Sequence, residues 1–428
     1  MEVIENKRIK EKIYHQELDS GLNIYFMPKE GYVQKHAIFA TNYGSNNNYF
    51  IPIEEKEPIK VPAGVAHFLE HKLFEEPEVD IFDQFSKLGA YVNAYTNFNQ
   101  TAYLFSAVDY FYENLELLIK FVQNPYFTDE NVEKEKGIIG QEIKMYEDSA
   151  NWRVYSNCLN GMYINHPVKI DIAGTVESIQ GIDKEVLYKC YNTFYNPSNM
   201  VLFIVGDLSF DKIIERVEKV ERKDFHREVE EITTIYPDEP IGIQNQYLEG
   251  HLPTSIPLFC IGIKDRNLNR QGKELVKKDL VTNILLEILF GESSEFYNDL
   301  YNKGLIDNSF ASYFTGKKDY GHSLILGQSN EPDRVYSKVL KHIKSAKKNK
   351  ISEDDFQRIK NKNIGGFLMG LNSLDFISNY FVDNYFEKFI FTDVLDILDN
   401  VSIKDIETRL IEDIDEEAMV LSVINPIH

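Results

Sequence analysis

Apolar positions along the chain change period repeatedly, and each change marks an element. Val65, Phe68, Leu69 and Leu73 recur at helical spacing just after the breakers Pro62 and Gly64. Residues 81–88 repeat that period and stop at Gly89, a natural helix terminus. Before them, residues 18–29 read as a short strand pair turning at 19–21, and residues 36–43 as a strand. Residues 91–105 alternate as strand, turn and strand, and residues 110–123 form a helix. Residues 131–148 are helical with Val132, Ile138, Ile139, Ile143 and Tyr146 as core positions, and the helical character runs on through Trp152 to Tyr163. A helix over 182–195, a buried strand over 200–207 and a helix over 211–220 complete this part.

Residues 223–250 break the pattern with charges, Pro237 and Pro240, and read as a linker between an N-terminal half (1–222) and a C-terminal half (251–428). Beyond it the order of elements recurs: a strand at 258–263, a helix at 281–290, a helix ending near Gly304, strands around 310–326, helices to 386, and a last strand at 419–424. The halves align as an internal repeat, with VAHFLEHKLF (65–74) over VTNILLEILF (281–290) and residues 128–142 over 352–366. Under that alignment His67, Glu70 and His71 become Asn283, Leu286 and Glu287, while Glu135 and Glu142 become Ile359 and Gly366. Any chemistry of those side chains belongs to the first half.

Composition narrows the classes. A chain of 428 residues exceeds what one core usually holds, in keeping with two domains. The net charge of −22 argues against a nucleic-acid partner, since phosphate binding needs a basic surface. The Lys-rich run at 338–350 is the exception, and Val339, Leu340 and Ile343 mark it as the solvated face of a packed helix. Cys158, Cys190 and Cys260 are odd in number and widely spaced, which suits a reducing compartment rather than a disulfide framework. The charged start holds no secretory apolar core and no apolar run approaches eighteen residues, so a cytoplasmic protein without a membrane partner is expected.

Two stretches carry candidate chemistry. His67 and His71 stand at i and i+4 of H-x-x-E-H, so both imidazoles project from one helix face, and Glu70 borders that face. Glu135 and Glu142 lie seven residues apart, two turns, and also share a face. Alone, such a pair would be read as a solvated helix surface.

Together these stretches resemble the pitrilysin, insulinase and mitochondrial processing peptidase family, of the inverzincin type. The resemblance continues through GAYVNAYTNFNQTAYLF (89–105), NHPVKIDIAGTVESI (165–179) and FYNPSNMVLFIVGDL (194–208). It implies an α+β fold of two homologous halves, each a mainly antiparallel sheet packed with helices, arranged as a clamshell around a peptide chamber. It further implies a Zn2+ cofactor held by His67, His71 and Glu142, with Glu70 as the base that activates water and Glu135 as an assisting carboxylate. Asn93, Ala94, Tyr95 and Thr96 would form an exposed strand to which an extended peptide adds through main-chain hydrogen bonds. His166 reads as structural. The expected activity is that of a zinc-dependent endopeptidase acting on peptides or short unstructured protein segments.

One departure from the family matters. Members that act alone or as self-pairs carry an Arg and a Tyr in a second-half segment, and here residues 293–310 place Tyr301 and Asp307 at those positions. This points to a partner, either a related chain lacking the zinc motif in a heterodimer or a second copy in a homodimer. It leaves open a weakly active or inactive subunit with a structural role, or a dedicated factor in a peptide- or protein-modification pathway, one bacterial branch being associated with elongation factor P modification.

Overall fold

Two sheets organise the chain, and the central strands of both are buried on both faces. The computed structural model describes residues 1–77, 80–222, 232–412 and 414–427. The strands of the first half are β1 (Glu2–Asn6), β2 (Glu11–Glu17), β3 (Asn23–Pro28), β4 (Lys35–Thr41), β5 (Tyr49–Phe50), β6 (Ile59–Lys60), β7 (Ala90–Thr96), β8 (Thr101–Ala107) and β9 (Met200–Gly206). Those of the second are β10 (Tyr247–Leu252), β11 (Leu258–Lys264), β12 (Ala311–Gly316), β13 (Gly321–Gln328) and β14 (Met419–Pro426). The first sheet runs β1-β2-β3-β9-β4-β8-β7 and the second β10-β14-β11-β13-β12, with β5 and β6 as a separate ribbon. Among the described residues only β3–β9 and β10–β14 pair in parallel, so both sheets are mainly antiparallel.

Alternation along β9 explains the layering. Leu202 and Ile204 face the helices of the first half, whereas Val201, Phe203 and Val205 belong to a core shared with the second. There Phe203 stacks on Phe381, ring centroids 4.2 Å apart, from the helix Leu374–Tyr385. The exchange is reciprocal: the helix Ala150–Met162 of the first half packs Val154, Cys158 and Met162 against Cys260, Leu324 and Val420 of the second sheet. Each half lends one helix to the other's sheet.

Polar contacts close the same seam. Gln100 Nε2 donates to Asp383 Oδ1 at 2.6 Å, and Tyr320 donates to Asn99 Oδ1 at 2.6 Å. Tyr163 donates to the Gly321 carbonyl at 2.8 Å and lies 2.9 Å from His322 Nδ1. His166 caps Pro167–Lys169 through its Nδ1 and meets Asp319 across the seam at 3.2 Å, a structural role.

Two readings need correction, and one element went unassigned. The charged start forms the hairpin β1–β2, missed because edge strands carry polar side chains and show weak alternation. The strand β10 runs through the end of the stretch read as a linker, pairing with β14 although its residues only alternate between exposed and half-buried; residues 223–231 of that stretch lie outside the described residues. Ile138, read as core, is 48% exposed, while Val132, Ile139 and Ile143 are buried. Among the described residues no helix is long and apolar enough to cross a membrane.

The buried His322 makes stability depend on pH. Burial lowers its pKa to about 4, with His166 adding to the effect and Asp265 opposing it. The unfolded chain takes the proton near pH 6.5 and the folded chain withholds it, so the stability is fully present above that value and is lost as pH falls toward 4. Between pH 7.5 and 4.5, urea titrations are expected to show the native chain losing about 2–3 kcal/mol more than His322→Gln.

Candidate metal centre

The helix Val65–Leu73 is fixed at its start by a backbone contact that only glycine permits. Gly64 has φ +95°, and a Cβ there would meet the Ala173 carbonyl at 2.4 Å; Gly174 opposes it with φ +76° and the Ala63 carbonyl at 2.4 Å. The IAGT segment thus seats the first turn of the histidine helix. The helix then buries Val65, Phe68, Leu69 and Leu73, which turns His67 and His71 toward the helix Asp129–Glu147.

That second helix presents Glu135 and Glu142 to His71. Glu135 Oε1 lies 3.1 Å from His71 Nδ1, and Glu142 Oε2 lies 3.5 Å from His71 Nε2. Glu142 Oε1 lies 3.6 Å from His67 Nε2, and the three potential ligand atoms fall within 4.8 Å of one another. The Nε2–carboxylate separations are too long for good hydrogen bonds but close to the roughly 3.3 Å between neighbouring donors of a tetrahedral zinc ion. Two imidazoles and one carboxylate are the protein donors of a catalytic zinc site, in which the fourth position is left to water or substrate. The residues present therefore fit the metal.

Electrostatics supports that reading. Burial, with His71 adding to it, lowers the His67 pKa to about 3, so its imidazole is neutral and free to coordinate. Burial would also lower His71, but the hydrogen bond to Glu135 and the charges of Glu70, Glu135 and Glu142 raise it overall. Glu135 is 7% exposed; burial would raise it, yet His71 and Lys72 hold it below the usual carboxylate range. Lys72 is fully buried and pairs with Glu75 and, at 3.8 Å, with Glu135.

Glu70 stands beside this cluster with its pKa raised by burial and by Glu142, against the opposing hydrogen bond from Thr96. Thr96 Oγ1 donates to Glu70 Oε2 at 2.7 Å, and Thr101 behind it donates to the Tyr43 carbonyl at 2.8 Å. Thr96, expected to offer its main chain to an extended peptide, directs its side-chain hydroxyl to this carboxylate. Asn93, Ala94 and Tyr95 lie with it on β7, which among the described residues is an edge strand paired only with β8. Asn93 Oδ1 accepts from the Ala94 amide at 2.9 Å, and Tyr95 contacts Gln100 Nε2 at 3.2 Å.

Two residues joined the site unannounced. Tyr146, read as core, donates to Glu142 Oε1 at 2.9 Å, and its position four residues after Glu142 on one helix is the signal that could have placed it. Lys72 gave no such signal, because an exposed lysine on that helix would look the same in sequence. In the second half the aligned positions have turned to packing: Leu286 and Ile359 are buried, Glu287 pairs with Lys362, and Asn283 accepts the Phe314 amide at 3.0 Å. Glu135→Gln is expected to weaken zinc affinity about 10–100-fold while leaving one zinc per chain at saturation, measured by chelator competition.

Comparison with known proteins agrees with the geometry. Residues 57–176 match the family model described as Insulinase (Peptidase family M16), and residues 181–363 the one described as Peptidase M16 inactive domain. The zinc protease YmfH of Bacillus subtilis is 42% identical over 423 residues, covering 99% of this chain and 99% of that protein. The crystal structure of an M16-like peptidase from Alicyclobacillus acidocaldarius aligns with a TM-score of 0.94 at 38% identity, over 99% of this chain and 100% of that one. A Helicobacter pylori protease aligns with a TM-score of 0.84 at 19% identity, over 97% and 100%, a likeness of fold. Identity at this level along the whole chain shows that the protein belongs to the insulinase family, peptidase family M16.

Proposed function

We propose that the chain is a zinc-dependent endopeptidase, with His67, His71 and Glu142 holding the metal and Glu70 acting as the general base. The observation that carries this reading is the convergence of those three donors beside a half-buried glutamate whose Oε2 is anchored by Thr96. Zinc, when bound there, supplies Lewis acidity toward a peptide carbonyl and toward water. The chain's own residues do the rest. Glu70 keeps Oε2 on the Thr96 hydroxyl, so Oε1 takes the proton from the attacking water and later delivers it to the leaving amine nitrogen. Burial raises its pKa, which makes the carboxylate a better base. The free edge of β7 offers main-chain groups to an extended peptide, which gives affinity with little dependence on sequence.

A second chain completes the site in this reading, either a motif-less relative or a second copy. Tyr301, at the position of the family's Arg, is half exposed and stacked on Tyr297, while Asp307 accepts from the Ser309 amide at 2.9 Å. The Arg position thus carries no cation and the Tyr position no phenol, so neither presents the family's donor to developing negative charge. The cytoplasm is the compartment that fits the reduced, buried cysteines.

The test is cleavage of an unbiased peptide mixture, read by mass spectrometry, with zinc-loaded chain alone and with a motif-less relative encoded by the same organism. Cleavage is expected with both chains present and is expected to fall about 10²–10⁴-fold in Glu70→Gln, with zinc content unchanged. Cleavage unaffected by Glu70→Gln would refute the assignment of the base.

A further inference from the structure

Glu142 is the donor with the most freedom at the metal centre. His71 is held by Glu135 and His67 is buried, and both stand on one packed helix. Glu142 has a longer side chain, 21% of it exposed. A side chain of that kind gives up rotamer freedom when it takes a metal, unless something has fixed it beforehand.

Tyr146 fixes it. One turn along the same helix, its hydroxyl donates to Glu142 Oε1 at 2.9 Å. On a bare helix surface a pair at that spacing is weak. Here the tyrosine ring lies against Trp152, centroids 5.2 Å apart, and Trp152 lies against Tyr155 at 5.8 Å. The three rings line a cavity of about 840 Å3 in the seam between the halves. Because that side is open, the Tyr146–Trp152 stack depends on the polar anchors at its two ends.

The far anchor leads to the other metal helix. Trp152 Nε1 donates to Asp171 Oδ2. Asp171 in turn accepts the Ala173 amide on Oδ1 at 3.0 Å and the Gly174 amide on its carbonyl at 2.9 Å. Those bonds shape the turn against which Gly64 starts the histidine helix. Contacts therefore run without a gap from Glu142, through Tyr146, Trp152 and Asp171, to the first turn of the helix that carries His67 and His71. The Lys72–Glu135 pair joins the two helices once, and this chain of residues joins them a second time.

We propose that Tyr146 is a positioning residue for Glu142, braced by Trp152, which aims the third donor at the two imidazoles before any metal arrives. The inference rests on the metal reading of the site. It adds two residues that offer the metal no ligand of their own, and it gives the one tryptophan of the chain a task there. Loss of the Tyr146 hydroxyl frees the carboxylate while leaving the ring stack in place. Loss of the Trp152 indole N–H acts only through Tyr146, so the two losses do not add.

The experiment uses the full-length chain stripped of metal and the variants Tyr146→Phe, Trp152→Phe and the two combined, each of which keeps an aromatic ring in place. Chelator competition reads zinc affinity. The visible absorption of the cobalt-loaded chain reads the arrangement of the donors, which a packing defect elsewhere does not move. Tyr146→Phe is expected to bind zinc about 10–100-fold more weakly, with one zinc per chain at saturation and an altered cobalt absorption. Trp152→Phe is expected to change both readouts in the same direction by a smaller factor, and the double variant to bind no more weakly than Tyr146→Phe alone. Unchanged affinity and cobalt absorption in Tyr146→Phe overturn the proposal, and losses that add in the double variant overturn the part given to Trp152. Should Tyr146→Phe fail to fold, as read by its melting temperature without metal, Trp152→Phe decides in its place, and unchanged readouts there overturn the proposal. A parent chain that takes up no zinc sinks the metal reading and the inference together, whereas a parent that binds zinc no more tightly than Tyr146→Phe sinks the inference alone.

Discussion

Lys72 is the constraint on which the site depends. A lysine with no exposed surface, set between two helices, must be neutralised where it lies, and Glu135 and Glu75 do so. Glu135 thereby acts in two directions at once: Oε2 faces the buried ammonium and Oε1 holds His71 Nδ1. The same carboxylate ties the helices together and fixes the imidazole so that Nε2 points at Glu142. Removing the charge from either partner would loosen the helix pair and the donor set together.

The sequence was most informative where local period and chemistry coincide. His67, Glu70, His71, Glu135 and Glu142 all lie on strongly periodic helices, and helical geometry alone puts each group on one face. The assignment of Glu142 to the same cluster needed the family resemblance, because no local rule connects residues 71 positions apart. Elements at the margins were harder to see. The hairpin β1–β2 and the strand β10 sit at sheet edges, where polar side chains mask the strand period. The exchange of the helices Ala150–Met162 and Leu374–Tyr385 between the sheets is invisible locally, since a helix buried against a distant sheet has the same pattern as one buried against its neighbour. The contact of Thr96 with Glu70 is likewise tertiary, whereas that of Tyr146 with Glu142 lies within one helix, four residues apart.

The exchange also explains how one repeat could lose its metal site without losing its fold. Each half depends on the other for the second cover of its sheet, so the surfaces along the seam are constrained while the helix faces that once matched the donors are not. Leu286 and Ile359 fill core, and Glu287 and Lys362 form an ordinary ion pair. The second half contributes Tyr313, Phe314, Tyr320 and Tyr380 to the lining of the cavity in the seam. The division of labour follows from one scaffold used twice, with the polar side chains redistributed.

The central claim is that His67, His71 and Glu142 hold one zinc ion, and anomalous X-ray diffraction across the zinc edge from crystals of the zinc-loaded chain tests it most directly. The account predicts a single strong peak between the histidine and glutamate helices, within bonding distance of both Nε2 atoms and the Glu142 carboxylate, that disappears in Glu142→Ala. A chain that takes up no zinc, or a peak away from these three residues, would contradict it.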